Sequence, residues 1–200
     1  MNNIESTVNS IFGLYQTFGD ADYIGEPVSQ IEHMSQSAQL AIAEGHDDEV
    51  ILAAFFHDLG HICVMNNEAN SMGGYGVKRH EQVGADFLRD QGFPERIAKL
   101  VENHVQAKRY LTFKDADYYN QLSEASKQTL KHQGGVMTEE EASAFEEDEL
   151  FEVSIRMRRW DELAKEMHVP VIDLDEMKDR ARRILELNGL TVAHESKIDF

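Results

Sequence analysis

Apolar residues recur every three to four positions along most of the chain, the spacing of helices that bury one face. Val8, Ile11, Phe12, Tyr15 and Phe18 form the first such stripe. Ser29 followed by Glu32 has the form of a capping box, opening a helix that runs through Ala43 and stops at Gly45. Asp47 can cap the next helix, whose apolar run from Val50 to Phe56 leads into His57-Asp58. Further helices are predicted over residues 79–91, from Pro94 to about 111, and over 123–132, 138–151, 153–167 and 173–188. Residues 19–27 and 66–76 carry the glycines and proline of loops, and Gly134-Gly135 separates two helices. No stretch alternates with the period of a strand, and there is no repeat or low-complexity linker. The expectation is one all-α domain, a helical bundle over residues 1–200. Its functional core spans about 29–165, with a peripheral C-terminal helix and tail over about 173–200.

Hydrophobic residues make up 42% of the chain, and no apolar run approaches the roughly 18 residues of a membrane span. The N-terminal segment lacks the basic start and apolar block of a signal peptide. The single cysteine, Cys63, can form no internal disulfide and reads as a buried small residue. A cytoplasmic protein is expected. The formal charge of −18 argues against nucleic acid and against anionic membranes, both of which reward Lys and Arg. The acidic run over residues 138–152 reads as a solvated helix face. An anionic substrate would need a local basic pocket.

Nine histidines are present. Ile97, Leu100 and Val101 continue at helical spacing onto His104 and Lys108, so one face turns both inward. His80 shares a face with Val83 and Phe87, and His33 lies one turn beyond Ser29. His57-Asp58 closes the run LAAFFHD, where a charged carboxylate is costly unless paired or metal-bound. A lone histidine on an apolar face is usually a hydrogen-bonded core residue. Four of them on separate helices, one adjoining an aspartate, point instead to a metal, since imidazole and carboxylate are ligands for first-row ions. Asp58 has two oxygens and can bridge two ions.

The ordered set His33, His57-Asp58 and Asp161 resembles the H…HD…D pattern of the HD superfamily, helical bundles that bind metal through those residues. HDLGH (57–61) is the core of that signature, and His80 and His104 stand where dinuclear members carry two more histidines. The resemblance implies one metal on His33, His57, Asp58 and Asp161, and another on Asp58, His80 and His104. Six stretches resemble a narrower group, the HD-domain mixed-valent diiron oxygenases that cleave the C–P bond of 1-hydroxyphosphonates. They are DYIGEPVSQIEH (22–33), LAAFFHDLGH (52–61), MGGYGVKRHEQVGADFLR (72–89), ENHVQAKRYL (102–111), LSEASKQTL (122–130) and RRWDE (158–162). The likeness runs unbroken over about residues 8–165, and nothing beyond Leu163 is recognised.

That resemblance implies two iron ions, Fe(II)/Fe(III), as cofactors, with O2 and a small phosphonate as partners. It places Lys108, Ser126 and Arg158 on the phosphonate, and His61 beside the substrate and the oxygen site, where His61 and Lys108 support catalysis. It puts Tyr23 and Glu26 on a lid loop, the tyrosine reaching the open metal position and the glutamate facing the amine. The expected substrate is (1-hydroxy-2-(trimethylammonio)ethyl)phosphonate, giving glycine betaine and phosphate. The alternatives are 2-amino-1-hydroxyethylphosphonate, giving glycine, or phosphate-ester hydrolysis at a dimetal site. The residues themselves agree with an anionic substrate. Lys108 lies one turn after His104 and Arg158 one turn before Asp161, so both cations project near the metals. The plainer alternatives are a surface ion pair for Arg158, snorkelling for Lys108 and helix surface for Ser126. For His61 the alternative is a hydrogen bond behind the ligands, and for Tyr23 and Glu26 an exposed loop.

Overall fold

The computed structural model describes residues 4–23, 25–65 and 68–195, with side chains described as far as 189. Among the described residues ten helices follow in order: α1 (Ile4–Phe18), α2 (Gln30–Ala43), α3 (Asp48–Phe56), α4 (His80–Asp90), α5 (Glu95–Lys114), α6 (Ala116–Gln121), α7 (Glu124–His132), α8 (Glu139–Glu146), α9 (Phe151–Leu163) and α10 (Leu174–Glu195). A 3-10 turn, Leu59–His61, follows α3. No strand forms among the described residues; isolated bridges between Asp22 and Ser29 and between Ser71 and Val77 close two loops. The fold is all-α. Among the described residues no helix is long and apolar enough to cross a membrane.

α3 is the central rod. Every residue from Val50 to Phe56 is buried, as a helix apolar on all sides requires. α5 packs against α3, α4 and α9, while α2 lies against α3 and α9. On the other side Tyr15 of α1 stacks on Phe55 at 4.6 Å, and its hydroxyl donates to the Phe55 carbonyl. The capping box at Ser29 and Glu32 forms, and Asp47 accepts the Val50 N–H at 3.0 Å.

Several elements differ from the sequence expectation, each for a local reason. The helix expected over 138–151 breaks after Glu146, because Asp148 takes the Leu150 N–H at 2.8 Å and competes with the helical ladder. α9 ends at Leu163 instead of continuing to 167. Side chains of α2 claim the backbone that follows: Gln36 exchanges two 3.0 Å hydrogen bonds with Glu166, and Ser35 accepts the Ile172 N–H. α6 was not foreseen; Asp115 caps it by accepting the Asp117 N–H. α10 is no peripheral appendage, since Met177 and Ala181 are fully buried in the main core. Phe18 leaves the first apolar stripe and is 49% exposed.

Two glycines let α4 approach the 3-10 turn. A Cβ on Gly60 would lie 1.9 Å from the His80 carbonyl oxygen, and one on Gly84 would lie 3.0 Å from the Gly60 nitrogen. Backbone on both sides leaves no flexible group to yield. Gly60→Ala is therefore expected to destabilise the fold by about 3 kcal/mol, lowering Tm by about 6–12 °C. Thermal denaturation followed by circular dichroism checks this, and an unchanged Tm would contradict the close approach.

Candidate metal centre and active site

Five elements converge on one point. α2 brings His33, the end of α3 brings His57 and Asp58, α4 begins with His80, α5 contributes His104, and the last turn of α9 carries Asp161. None of the six is more than 3% exposed.

Asp58 divides them. Its Oδ2 lies 3.3 Å from His57 Nε2 and 3.5 Å from His33 Nε2, with Asp161 Oδ1 3.4 Å from the same His33 nitrogen. Its Oδ1 lies 3.2 Å from His80 Nε2 and 3.6 Å from His104 Nε2. The ring nitrogens facing the centre are close in pairs: 3.0 Å between His33 and His57, and 3.1 Å between His80 and His104. The opposite nitrogens explain what those atoms are. Nδ1 of His33, His57 and His104 each face a backbone carbonyl, of Ala164, Ala54 and Val101, so Nδ1 carries the proton and a neutral ring presents a bare Nε2. Bare nitrogens at such separations repel unless a cation lies between them. Two nitrogens each about 2.1 Å from one ion and at right angles would be about 3.0 Å apart, which matches both pairs. Asp161 Oδ1 and His80 Nδ1 are buried without a hydrogen-bond partner. The donor set therefore fits two metal ions sharing Asp58.

The electrostatics carry the same demand for positive charge. In the metal-free protein, where protons on the facing imidazoles stand in for metal, burial pushes the Asp58 carboxyl up but the His57 charge and hydrogen bonds from His33, His57 and His80 hold it well below the usual range. Asp161 is likewise driven up by burial and held well below by Arg158 and His33. In the metal-free protein, burial lowers His33, yet Asp161 and Asp58 outweigh it and raise the ring to about 9. A proton then takes the place of a cation.

His61 is close enough to be counted with the ligands, its Nε2 4.0 Å from Asp58 Oδ1 and its ring stacked on His80 at 4.0 Å. Its tautomer argues otherwise. Nδ1 accepts the Val77 N–H at 3.1 Å, which leaves the ring proton on Nε2 and makes that atom a donor. The Met72–Gly76 loop makes this contact possible: Gly76 sits at φ +99, and a Cβ there would meet the His61 ring at 2.5 Å.

A cavity of about 520 Å³ opens beside the cluster, and Tyr23, Glu26, His61, Lys108, Ser126 and Arg158 all line it together with Asp58, His80, His104 and Asp161. Tyr23 stacks on His33 at 4.0 Å, and its hydroxyl is held far above its usual range by burial and by Asp58 and Asp161. Lys108 is buried rather than snorkelling, and its Nζ donates to Thr129 Oγ1 at 3.0 Å. Burial and neighbouring Arg158 lower its ammonium to about 7. Arg158 donates from Nη1 to Asp161 and from Nε to the Tyr118 hydroxyl, while its buried Nη2 has no partner. Neither cation is a surface residue. Sequence reasoning missed Thr129, Tyr118, the Ala164 carbonyl and Lys165, which pairs with Glu26 at 2.6 Å. Thr129 stands three residues after Ser126 and Lys165 four after Asp161, spacings that could have suggested them, whereas Tyr118 and the Ala164 carbonyl have no such signal.

A helical bundle with a buried histidine–aspartate cluster able to hold metal defines the class of protein. Residues 31–175 match the HD domain, and the chain belongs to the HD-domain family. It is 37% identical over 184 residues to the [1-hydroxy-2-(trimethylamino)ethyl]phosphonate dioxygenase (glycine-betaine-forming) of Leisingera caerulea, covering 92% of this chain and 93% of that one. It is 37% identical over 179 residues to the hydroxymethylphosphonate dioxygenase of Gimesia maris, covering 90% and 88%. The uncharacterized protein L432 of Acanthamoeba polyphaga mimivirus is 44% identical over 175 residues, covering 88% and 80%.

Because the cluster opposes bare nitrogens and crowds two carboxylates, metal should stabilise the fold. At a hundredfold excess over Kd a single site contributes about 2.7 kcal/mol. Chelation is expected to lower Tm by about 5–10 °C, and added Fe(II) or Co(II) to restore it. A Tm indifferent to metal would contradict the fit.

Proposed function

We propose that the chain is an O2-dependent dimetal oxygenase that cleaves the C–P bond of a 1-hydroxyphosphonate. Two irons would be held by His33, His57, Asp58 and Asp161 on one side and by Asp58, His80 and His104 on the other. One arrangement carries this reading: Asp58 turns its two oxygens to different histidine pairs, at the edge of a cavity that Lys108 and Arg158 also line. A dimetal cluster alone suits hydrolysis as well as oxidation. Identity to two phosphonate dioxygenases over about nine-tenths of the chain supports the oxidative chemistry. When bound, the iron pair supplies the electrons and Lewis acidity that O2 activation requires.

The chain's own residues hold and orient the substrate. Lys108 and Arg158 take the phosphonate dianion, whose oxygens give the unpartnered Nη2 of Arg158 an acceptor. Thr129 keeps the Lys108 ammonium in place, and Ser126 adds a hydroxyl. His61 donates its Nε2 proton toward an oxygen beside Asp58. Tyr23 covers His33 and excludes water until substrate displaces it. Glu26 faces the substrate amine, and Phe18, Tyr75 and Met65 give the same cavity apolar and aromatic surface. Such surface suits a quaternary ammonium, which cannot donate hydrogen bonds. The substrate assigned on this basis is (1-hydroxy-2-(trimethylammonio)ethyl)phosphonate, converted with one O2 to glycine betaine and phosphate. One oxygen atom enters the carboxylate and the other the phosphate, so no external reductant is consumed.

Phosphate release from this substrate by the iron-loaded protein should stop under strict anaerobiosis and resume with air. Release that continues without O2 would instead mark a hydrolase. Lys108→Ala and Arg158→Ala should each lower kcat/KM by an amount corresponding to about 2–5 kcal/mol, equally for hydroxyphosphonates with cationic and with uncharged substituents. A loss confined to the cationic substrate would remove both residues from the phosphonate site.

A further inference from the structure

The geometry points to Lys165 as the residue that sets how strongly the cavity favours a cationic substrate. This rests on the oxygenase reading above, in which Glu26 faces the substrate amine. Glu26 is a wall shared by two cavities: it lines the substrate cavity, and it also lines a second one of about 530 Å³ together with Lys165, Arg159 and Tyr118. Lys165 belongs to the second cavity alone. It reaches Glu26 from behind, with Nζ 2.6 Å from Oε1. The Glu26 side chain is 9% exposed and that of Lys165 17%, so water and salt screen the pair poorly.

Lys165 is held in that position by the backbone on either side. The Ala164 carbonyl accepts from His33 Nδ1, and Glu166 is clamped by Gln36. The loop carrying Glu26 is fixed independently of Lys165. Tyr23 N–H donates to the Val28 carbonyl at 3.0 Å, and Gly25, at φ +86, packs where a Cβ would meet Ala125 at 2.7 Å. Removing the lysine charge therefore leaves the backbone that carries Glu26 where it is.

An ammonium group entering the substrate cavity meets two opposing fields: attraction to Glu26 and repulsion from Lys165 directly behind it. An uncharged substituent senses neither. Lys165 thus attenuates the preference for cations without touching the substrate, and it is a specificity-determining residue outside the cavity it controls.

The test is isothermal titration calorimetry on the metal-loaded, anaerobic protein near neutral pH, with 2-amino-1-hydroxyethylphosphonate and 1-hydroxyethylphosphonate as probes whose substituents are cationic and uncharged. Lys165→Met should raise the affinity ratio in favour of the cationic probe about tenfold, the effect of one unit charge a few ångströms away in a partly solvated pocket. Lys165→Arg, which keeps the charge, should leave the ratio at the wild-type value. An unchanged or falling ratio in Lys165→Met, or an equal rise in Lys165→Arg, would make Lys165 a packing residue and overturn the proposal. If the wild-type protein binds neither probe, the oxygenase reading itself fails and the proposal falls with it. If it binds both and only the ratio fails to respond, the fault lies with Lys165 alone.

Discussion

A carboxylate cut off from water and surrounded by imidazoles is stable only where positive charge shares the space, since stripping an anion of water costs several kcal/mol. Asp58, 3% exposed and within 3.6 Å of four ring nitrogens, is in that position. Much of the surrounding architecture serves it. The apolar α3 drives the aspartate into the interior, Gly60 lets α4 deliver His80 at close range, and three backbone carbonyls fix the tautomers of His33, His57 and His104. A proton can meet part of the demand, as the raised His33 does. Divalent or trivalent ions would meet it on both oxygens at once.

The same constraint shapes how an acidic protein binds an anion. With a formal charge of −18 the surface repels anions, so on the proposed reading recognition depends on cations buried beside the cluster. Arg158 is anchored by Asp161 and Tyr118 and keeps one free Nη2. Lys108 is the more conditional of the two. Burial and the neighbouring guanidinium bring its ammonium near neutrality, and an arriving dianion would restore its charge. On the proposed reading, charge that is costly in the empty cavity becomes favourable when the phosphonate enters.

Legibility in the sequence followed the physics of periodicity. Helical spacing exposed the inward faces of His80, His104 and Lys108, and the all-α architecture with it. The four histidines and Asp58 were visible as candidates because polar residues within apolar runs need an explanation. Asp161, Ser126, Tyr23 and Glu26 came from resemblance, since none lies in a pattern that announces it. The break at Asp148 and the early end of α9 were hidden because side chains compete there with the helical ladder, through partners such as Gln36 that are distant in sequence. For the same reason residues 164–167 read as a continuing helix, although there the Ala164 carbonyl orients His33 and Lys165 pairs with Glu26. Contacts made by backbone, or by one charge across a tertiary gap, leave no trace in spacing.

The division of Asp58 between two ions is most directly tested by Mössbauer spectroscopy of the protein loaded with iron-57 under controlled oxidation. A shared carboxylate predicts two irons per chain in equal amounts, inequivalent because only one of them has Asp161 beside it, and magnetically coupled in the mixed-valent state. Asp58→Ala should lose the coupled pair entirely. A single iron environment, or one iron per chain in a well-folded protein, would contradict it.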